Sequence, residues 1–207
     1  MKKLSVILLL AASSAVYAQS PLRFGVKAGA NISRIGIANS NVSMGKPSSS
    51  FGPGVYAGGL LEISGPAGSK LKGQIEALYS YHTVKNTYAS GPAKVEQKTN
   101  LSQISVPLMI RYFPIPSLSF NAGASVNFNV ASKTKVGEVT LDHGDLDDLQ
   151  TIQVGVLAGA TYYIYKGFFV DARYNYFFGS VYKKDKTNDP SYRLSAIQIG
   201  LGYKFRY

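Results

Sequence analysis

Ser80, His82 and Glu76 are the residues whose types could do chemistry together. A serine, an imidazole and a carboxylate suffice for acyl hydrolysis, the imidazole taking the serine proton and the carboxylate orienting the imidazole. The spacing opposes it. On an extended strand these side chains share one face, but Glu76 and His82 stand six residues, about 20 Å, apart, too far for a hydrogen-bonded triad. No nucleophile-elbow sequence is present. No catalytic residue is therefore expected, and an outer-membrane acyl hydrolase stays only as a second alternative.

Asp142-His143-Gly144-Asp145-Leu146-Asp147-Asp148 concentrates acidic groups in one stretch. It lacks the ligand spacing and closing Glu of a calcium loop, so a solvated acidic loop is expected. Divalent-cation bridging to lipopolysaccharide phosphate is its alternative. No cofactor-binding or metal site is assigned. Seven charges, Lys27, Glu62, Glu76, Arg111, Asp171, Arg173 and Lys204, fall on the small or polar face of alternating segments. In a barrel just wide enough for side chains to fill, they predict ion-paired layers plugging the lumen. A narrow channel for small solutes is the alternative.

The elements that must position these faces are strands. From Ala196 to Tyr207, Ile197, Ile199, Leu201, Tyr203, Phe205 and Tyr207 alternate with Ala196, Gln198, Gly200, Gly202, Lys204 and Arg206. One face is apolar or aromatic and the other small or polar, and about twelve residues cross a bilayer at a tilt. The same alternation recurs over 24–33, 54–63, 71–83, 101–113, 118–130, 151–164 and 168–182, which makes eight segments. Pro107 falls inside the fourth and predicts irregular pairing there.

Long connections (34–51, 84–100, 131–150, 183–192) alternate with short ones (64–70, 114–117, 165–167). The expected fold is all-β: an eight-stranded antiparallel up-and-down transmembrane β-barrel with short periplasmic turns, long external loops and periplasmic termini. Tyr112, Phe113, Tyr162, Tyr163, Tyr165, Phe168, Phe169, Tyr203, Phe205 and Tyr207 fall at one set of strand ends. Tyr79, Tyr81, Tyr176, Phe178 and Tyr182 fall at the other, predicting two interfacial girdles.

Composition agrees. The 207 residues include 21 Gly, 15 Tyr and 10 Phe, and mean hydropathy is +0.01, which excludes a helical membrane protein but not a barrel. Met1-Lys2-Lys3, the apolar run Leu4 to Ala12 and Val16-Tyr17-Ala18 form a secretory signal peptide over 1–18, leaving 19–207 as one barrel domain. Without cysteine there is no disulfide, thiolate metal site or lipid-anchored cysteine. Removing Lys2 and Lys3 leaves 20 basic against 11 acidic residues, a net +9. An exported barrel rarely meets nucleic acid, so the expected partners are outer-membrane lipid and lipopolysaccharide, with envelope proteins besides, for a monomer in the outer membrane. Lys46, Lys85, Lys94, Lys98, Lys133, Lys135, Lys183, Lys184 and Lys186 all fall in or beside the long connections.

The opening run Phe24-Gly25-Val26-Lys27-Ala28-Gly29-Ala30-Asn31-Ile32-Ser33, the segment Ile104-Ser105-Val106-Pro107-Leu108-Met109-Ile110-Arg111-Tyr112 and the aromatic-ended last strand carry a resemblance. Over nearly the whole mature chain, the sequence resembles the Bacteroidetes outer-membrane β-barrel families, including PorT-like proteins. The resemblance implies a proline in the fourth strand, which would account for Pro107. It also implies a non-enzymatic membrane or interaction role, associated in some PorT-like proteins with protein secretion.

Overall fold

A computed structural model describes residues 22–38, 48–66, 68–90, 93–136, 139–143, 151–178 and 191–205. The expected signal peptide and the stretch 183–190 lie outside these residues. Among the described residues ten strands run in chain order: β1 (Leu22–Ala38), β2 (Ser48–Ser50), β3 (Gly52–Ser64), β4 (Leu71–Ser90), β5 (Ala93–Ile115), β6 (Leu118–Val136), β7 (Val139–His143), β8 (Ile152–Tyr165), β9 (Phe168–Phe178) and β10 (Ser191–Lys204).

Eight of them form the wall, in the order β4-β3-β1-β10-β9-β8-β6-β5, and β5 pairs back onto β4 to close it. Every neighbouring pair is antiparallel. The two short strands are additions: β2 pairs with the far end of β4, and β7 with the far end of β6. Closure satisfies the backbone without leaving an edge, which a bilayer demands.

The alternation survives residue by residue. On β10, Ile197, Ile199 and Leu201 are exposed while Ala196, Gln198 and Lys204 are buried. On β5, Leu108, Ile110 and Tyr112 point out while Met109 and Arg111 point in. The outside is thus an apolar belt, and the lumen holds the polar side chains.

The connections at one end are short. The turn between β8 and β9 has φ +35° at Lys166 and +93° at Gly167, both in the left-handed region, as a two-residue hairpin turn twisted like its strands requires. The starts of β1 and the end of β10 lie at this turn end, since Gly25 pairs with Lys204.

At the opposite, loop end the strands outrun the expected boundaries. Residues 84–90 and 93–100, expected as part of a loop, continue β4 and β5, paired as far as Ser90 with Ala93. Residues 131–136, expected as loop, extend β6, and 139–143 form β7. β1 runs on to Ala38, β2 occupies 48–50, and β10 begins at Ser191, inside the expected fourth loop. Outside β1, where Ile35 and Ile37 alternate with Arg34 and Gly36, the sequence of these extensions carries no sustained one-sided apolar alternation.

Pro107 interrupts pairing on one side only. Ile75 pairs with Leu108 and Leu78 with Ser105, but Glu76 and Ala77 have no ladder partners on β5. The β6 side stays in register through Pro107 and Ser125. A proline has no N–H to give, so the ladder is broken on the face where one is wanted.

Candidate functional site

Among the described residues the lumen is where ionisable and polar side chains gather, and every wall strand contributes to it. Near the turn end, Arg111 on β5 spends its guanidinium on five neighbours. Nε donates to Asn121 Oδ1 at 2.9 Å, Nη2 to Ser119 Oγ at 2.6 Å, and Nη1 reaches Glu62 Oε2 at 2.9 Å, Gln74 Oε1 at 2.7 Å and Tyr163 Oη at 2.8 Å. Lys204 Nζ donates to Glu62 Oε2 and to Tyr163 Oη. Lys72 adds a third cation, 3.3 Å from Glu62 Oε1.

A second cluster lies deeper. Arg173 Nη1 and Nη2 grip Glu76 through both carboxylate oxygens at 2.9 Å, while Nε donates to Asp171 Oδ1 at 2.9 Å. Lys27 Nζ donates to the same Asp171 oxygen at 2.7 Å. A forked guanidinium held by a carboxylate is among the stronger charged contacts.

Two bridges join the clusters. Gln74 accepts from Arg111 and donates to Glu76 Oε1 at 2.6 Å. Along the wall from β6 through β8 to β9, Asn121 Nδ2 donates to Thr161 Oγ1, which donates to Asp171 Oδ2, both at 2.8 Å. The expected ion-paired plug is what the lumen contains, with all seven predicted charges buried.

Apolar groups finish the closure at both ends. Phe113, Tyr163, Phe169 and Leu60 form a buried cluster near the turns. Phe113, Tyr163 and Phe169 were expected in the interfacial girdle; they face the lumen instead, because each follows or precedes an outward ring by one residue and a strand reverses face at every step. Tyr112, Tyr162, Tyr165 and Phe168 remain on the outside. Near the loop end Val84, Leu101, Phe177, Leu194 and Ala196 pack together. Sequence reading missed this group. The signal was available in parity, since Phe177 continues the inward series Asp171, Arg173 and Asn175.

The structure does not assemble the hydrolytic trio. Glu76 is committed to Arg173 and Lys27. His82 Nδ1 lies 2.7 Å from the hydroxyl of Ser33, not Ser80, and Ser33 Oγ donates to Asn31 Oδ1 at 3.0 Å. Ser80 Oγ makes no hydrogen bond. Ser33, Ser80 and His82 are at most 1% exposed. Of the acidic stretch, Asp142 and His143 end β7, where Asp142 pairs with Lys133 across to β6; 144–148 lie outside the described residues.

At the loop end, the register sets Lys85, Lys98 and Lys135 opposite one another across β4, β5 and β6. Lys46, Lys183, Lys184 and Lys186 lie outside the described residues.

A closed eight-stranded barrel with an apolar exterior and a charge-filled lumen is an outer-membrane β-barrel protein. Residues 17–183 match the family described as outer membrane protein beta-barrel domain, and the chain belongs to that family. Among solved structures it is similar to Neisserial surface protein A, with TM-score 0.54 and 18% identity over 88% of this chain and 97% of that one. It also matches the attachment invasion locus protein Ail of Yersinia pestis (TM-score 0.48, 11% identity, 89% and 99% covered). OprG of Pseudomonas aeruginosa follows at TM-score 0.43 and 13% identity, covering 89% and 96%. These likenesses concern the fold. No curated protein sequence matches the chain.

Proposed function

We propose that this is a non-enzymatic outer-membrane barrel that works from its loop end, binding the phosphates of lipopolysaccharide. The observation that carries the reading is the row Lys85, Lys98 and Lys135 on three adjacent strands. Like charges directly opposite each other in a sheet destabilise it, and a bound polyanion reverses that cost. The filled lumen supports the same reading by leaving the barrel's ends as its working surfaces. Near an anionic surface each lysine contributes about 1 kcal/mol, screened within a Debye length.

The test is lipopolysaccharide binding to the folded protein across a salt series. Binding should weaken steeply with salt. Lys85→Gln, Lys98→Gln and Lys135→Gln together should weaken it further with heat-modifiable gel mobility unchanged. Binding indifferent to both refutes the electrostatic cause.

A secretion-associated role of the PorT-like kind is the finer reading, and the sequence resemblance supports it. It predicts an envelope protein co-purifying with the barrel from native outer membrane. A narrow solute channel is favoured by a different observation. Tyr56 Oη, Ser80 Oγ, His82 Nε2, Asn127 Oδ1, Gln153 Nε2 and Asn175 Nδ2 are buried without hydrogen-bond partners, as groups lining a hydrated path would be.

A further inference from the structure

The turn end opens on a cavity of about 420 Å³ that the plug does not fill. Arg23, Lys70, Lys72 and Lys204 line it, with Glu62 the one carboxylate among its described lining residues. The imbalance is built in. Glu62 already accepts from Lys72, Arg111 and Lys204. Lys204 and Arg111 are each 1% exposed, so two buried cations share a single carboxylate. The deeper cluster has no charge to lend, since Glu76 and Asp171 are matched by Arg173 and Lys27. Arg23 faces Glu62 across the β1–β3 ladder and adds a further cation.

Charges withdrawn from water need compensation, and here the cations outnumber it. The walls sharpen the need. Lys72 Nζ sits 4.5 Å over the Phe113 ring, and Pro114, Ile115 and Pro116 complete an apolar lining that strengthens any charge interaction inside.

We propose that this cavity is an anion site for a phosphate group, held by Arg23, Lys70 and Lys72 with Lys204 behind them. Phosphate suits it because several ammonium groups and a guanidinium can each take a separate oxygen. Two sources share that chemistry: free phosphate, and the phosphodiester headgroup of a membrane lipid. The second has a route, because Tyr112, Tyr162, Tyr165 and Phe168 ring the same end of the barrel on its outside, where aromatic side chains mark headgroup depth.

The experiment uses the full chain folded in phosphatidylcholine nanodiscs. One arm titrates inorganic phosphate and follows it by phosphorus NMR. The other mixes phosphatidylglycerol into the nanodisc and measures, by native mass spectrometry, which lipid stays with the protein. Saturable phosphate binding assigns a free anion; selective retention of phosphatidylglycerol without phosphate binding assigns a headgroup. In either case Lys70→Gln with Lys72→Gln should weaken the effect about tenfold without altering heat-modifiable mobility. Glu62→Gln, which removes the competing carboxylate, should tighten it. If that variant does not fold, the lysine pair decides alone. The loop-end lysine variants should leave it unchanged, which separates this site from lipopolysaccharide binding. Failure of both probes, or an effect that survives the lysine pair, overturns the proposal.

Discussion

At the scale of residues, the lumen shows how a buried charge becomes tolerable. Arg111 is met by one carboxylate and by neutral acceptors, and Arg173 by two carboxylates, so their desolvation is offset within one network. Parity alone tells which charges turn inward, because a side chain's face follows from its position in the strand. It does not tell which charge meets which. Lys27 finds Asp171 across 144 residues and Arg173 finds Glu76 across 97, and those pairings depend on how the sheet closes. Glu76 is the sharpest probe of the network. Glu76→Gln leaves Arg173 and Lys27 to share Asp171, an uncompensated buried charge that should cost about 3–5 kcal/mol. Combining it with Arg173→Gln should recover part of that loss, because the remaining Lys27–Asp171 pair is balanced. Urea midpoints of the barrel folded in lipid vesicles check both; additive losses would refute the coupling.

At the scale of elements, the strands were legible where one face is apolar and illegible where neither is. The alternation along β6 stops at Val130 for a structural reason. Ser102 pairs with Ala131 and Gln103 with Asn129, so Val130 is an extra residue, a bulge that shifts the strand by one. Beyond it Ser132 rather than an odd-numbered residue turns inward, and a sequence reader following strict alternation ends the strand there. The inward glycines are legible only as small residues, yet they hold large neighbours. A Cβ on Gly202 would come within 2.2 Å of the Phe169 ring, and one on Gly200 within 2.3 Å of Tyr56 Oη. Strand β10 therefore gives a two-sided test. Ile199→Lys places a charge on the lipid face and should cost about 2–4 kcal/mol, as measured by reversible folding into phosphatidylcholine vesicles. Gly202→Ala should also destabilise, but by displacing Phe169 from the buried turn-end cluster. The two losses differ in origin: thinner bilayers should soften the first and leave the second. Equal response to bilayer thickness would contradict this assignment of faces.

At the scale of the whole molecule, the barrel is shut in series. Phe113, Tyr163 and Phe169 close it near the turns, the two charge clusters fill the next layers, and Val84, Leu101, Phe177 and Leu194 close it near the loops. Between the charges and the loop-end cluster lie Ser80 Oγ, His82 Nε2, Asn127 Oδ1 and Gln153 Nε2, buried atoms without hydrogen-bond partners in a stretch able to hold water. Water there does not make a conductive path while the layers on either side stay filled. The wild-type barrel should therefore be silent in planar bilayers. Removing one barrier should not be enough: Leu101→Ser with Phe177→Ser opens the loop end but leaves Arg173, Glu76 and Arg111 in place. Removing the deeper charge cluster as well should still not be enough. Adding Glu76→Ala and Arg173→Ala deletes one cation and one carboxylate, which keeps the lumen's net charge, but leaves Arg111 with Glu62 and Lys204, and behind them Phe113, Tyr163 and Phe169. The combined variant should stay silent while it retains heat-modifiable mobility, and conductance from it would show that the turn-end layers are not a barrier. Steady conductance from the wild type would instead favour the channel reading. Conductance from the loop-end variant alone would show that the charge layers, however well paired, are not a barrier.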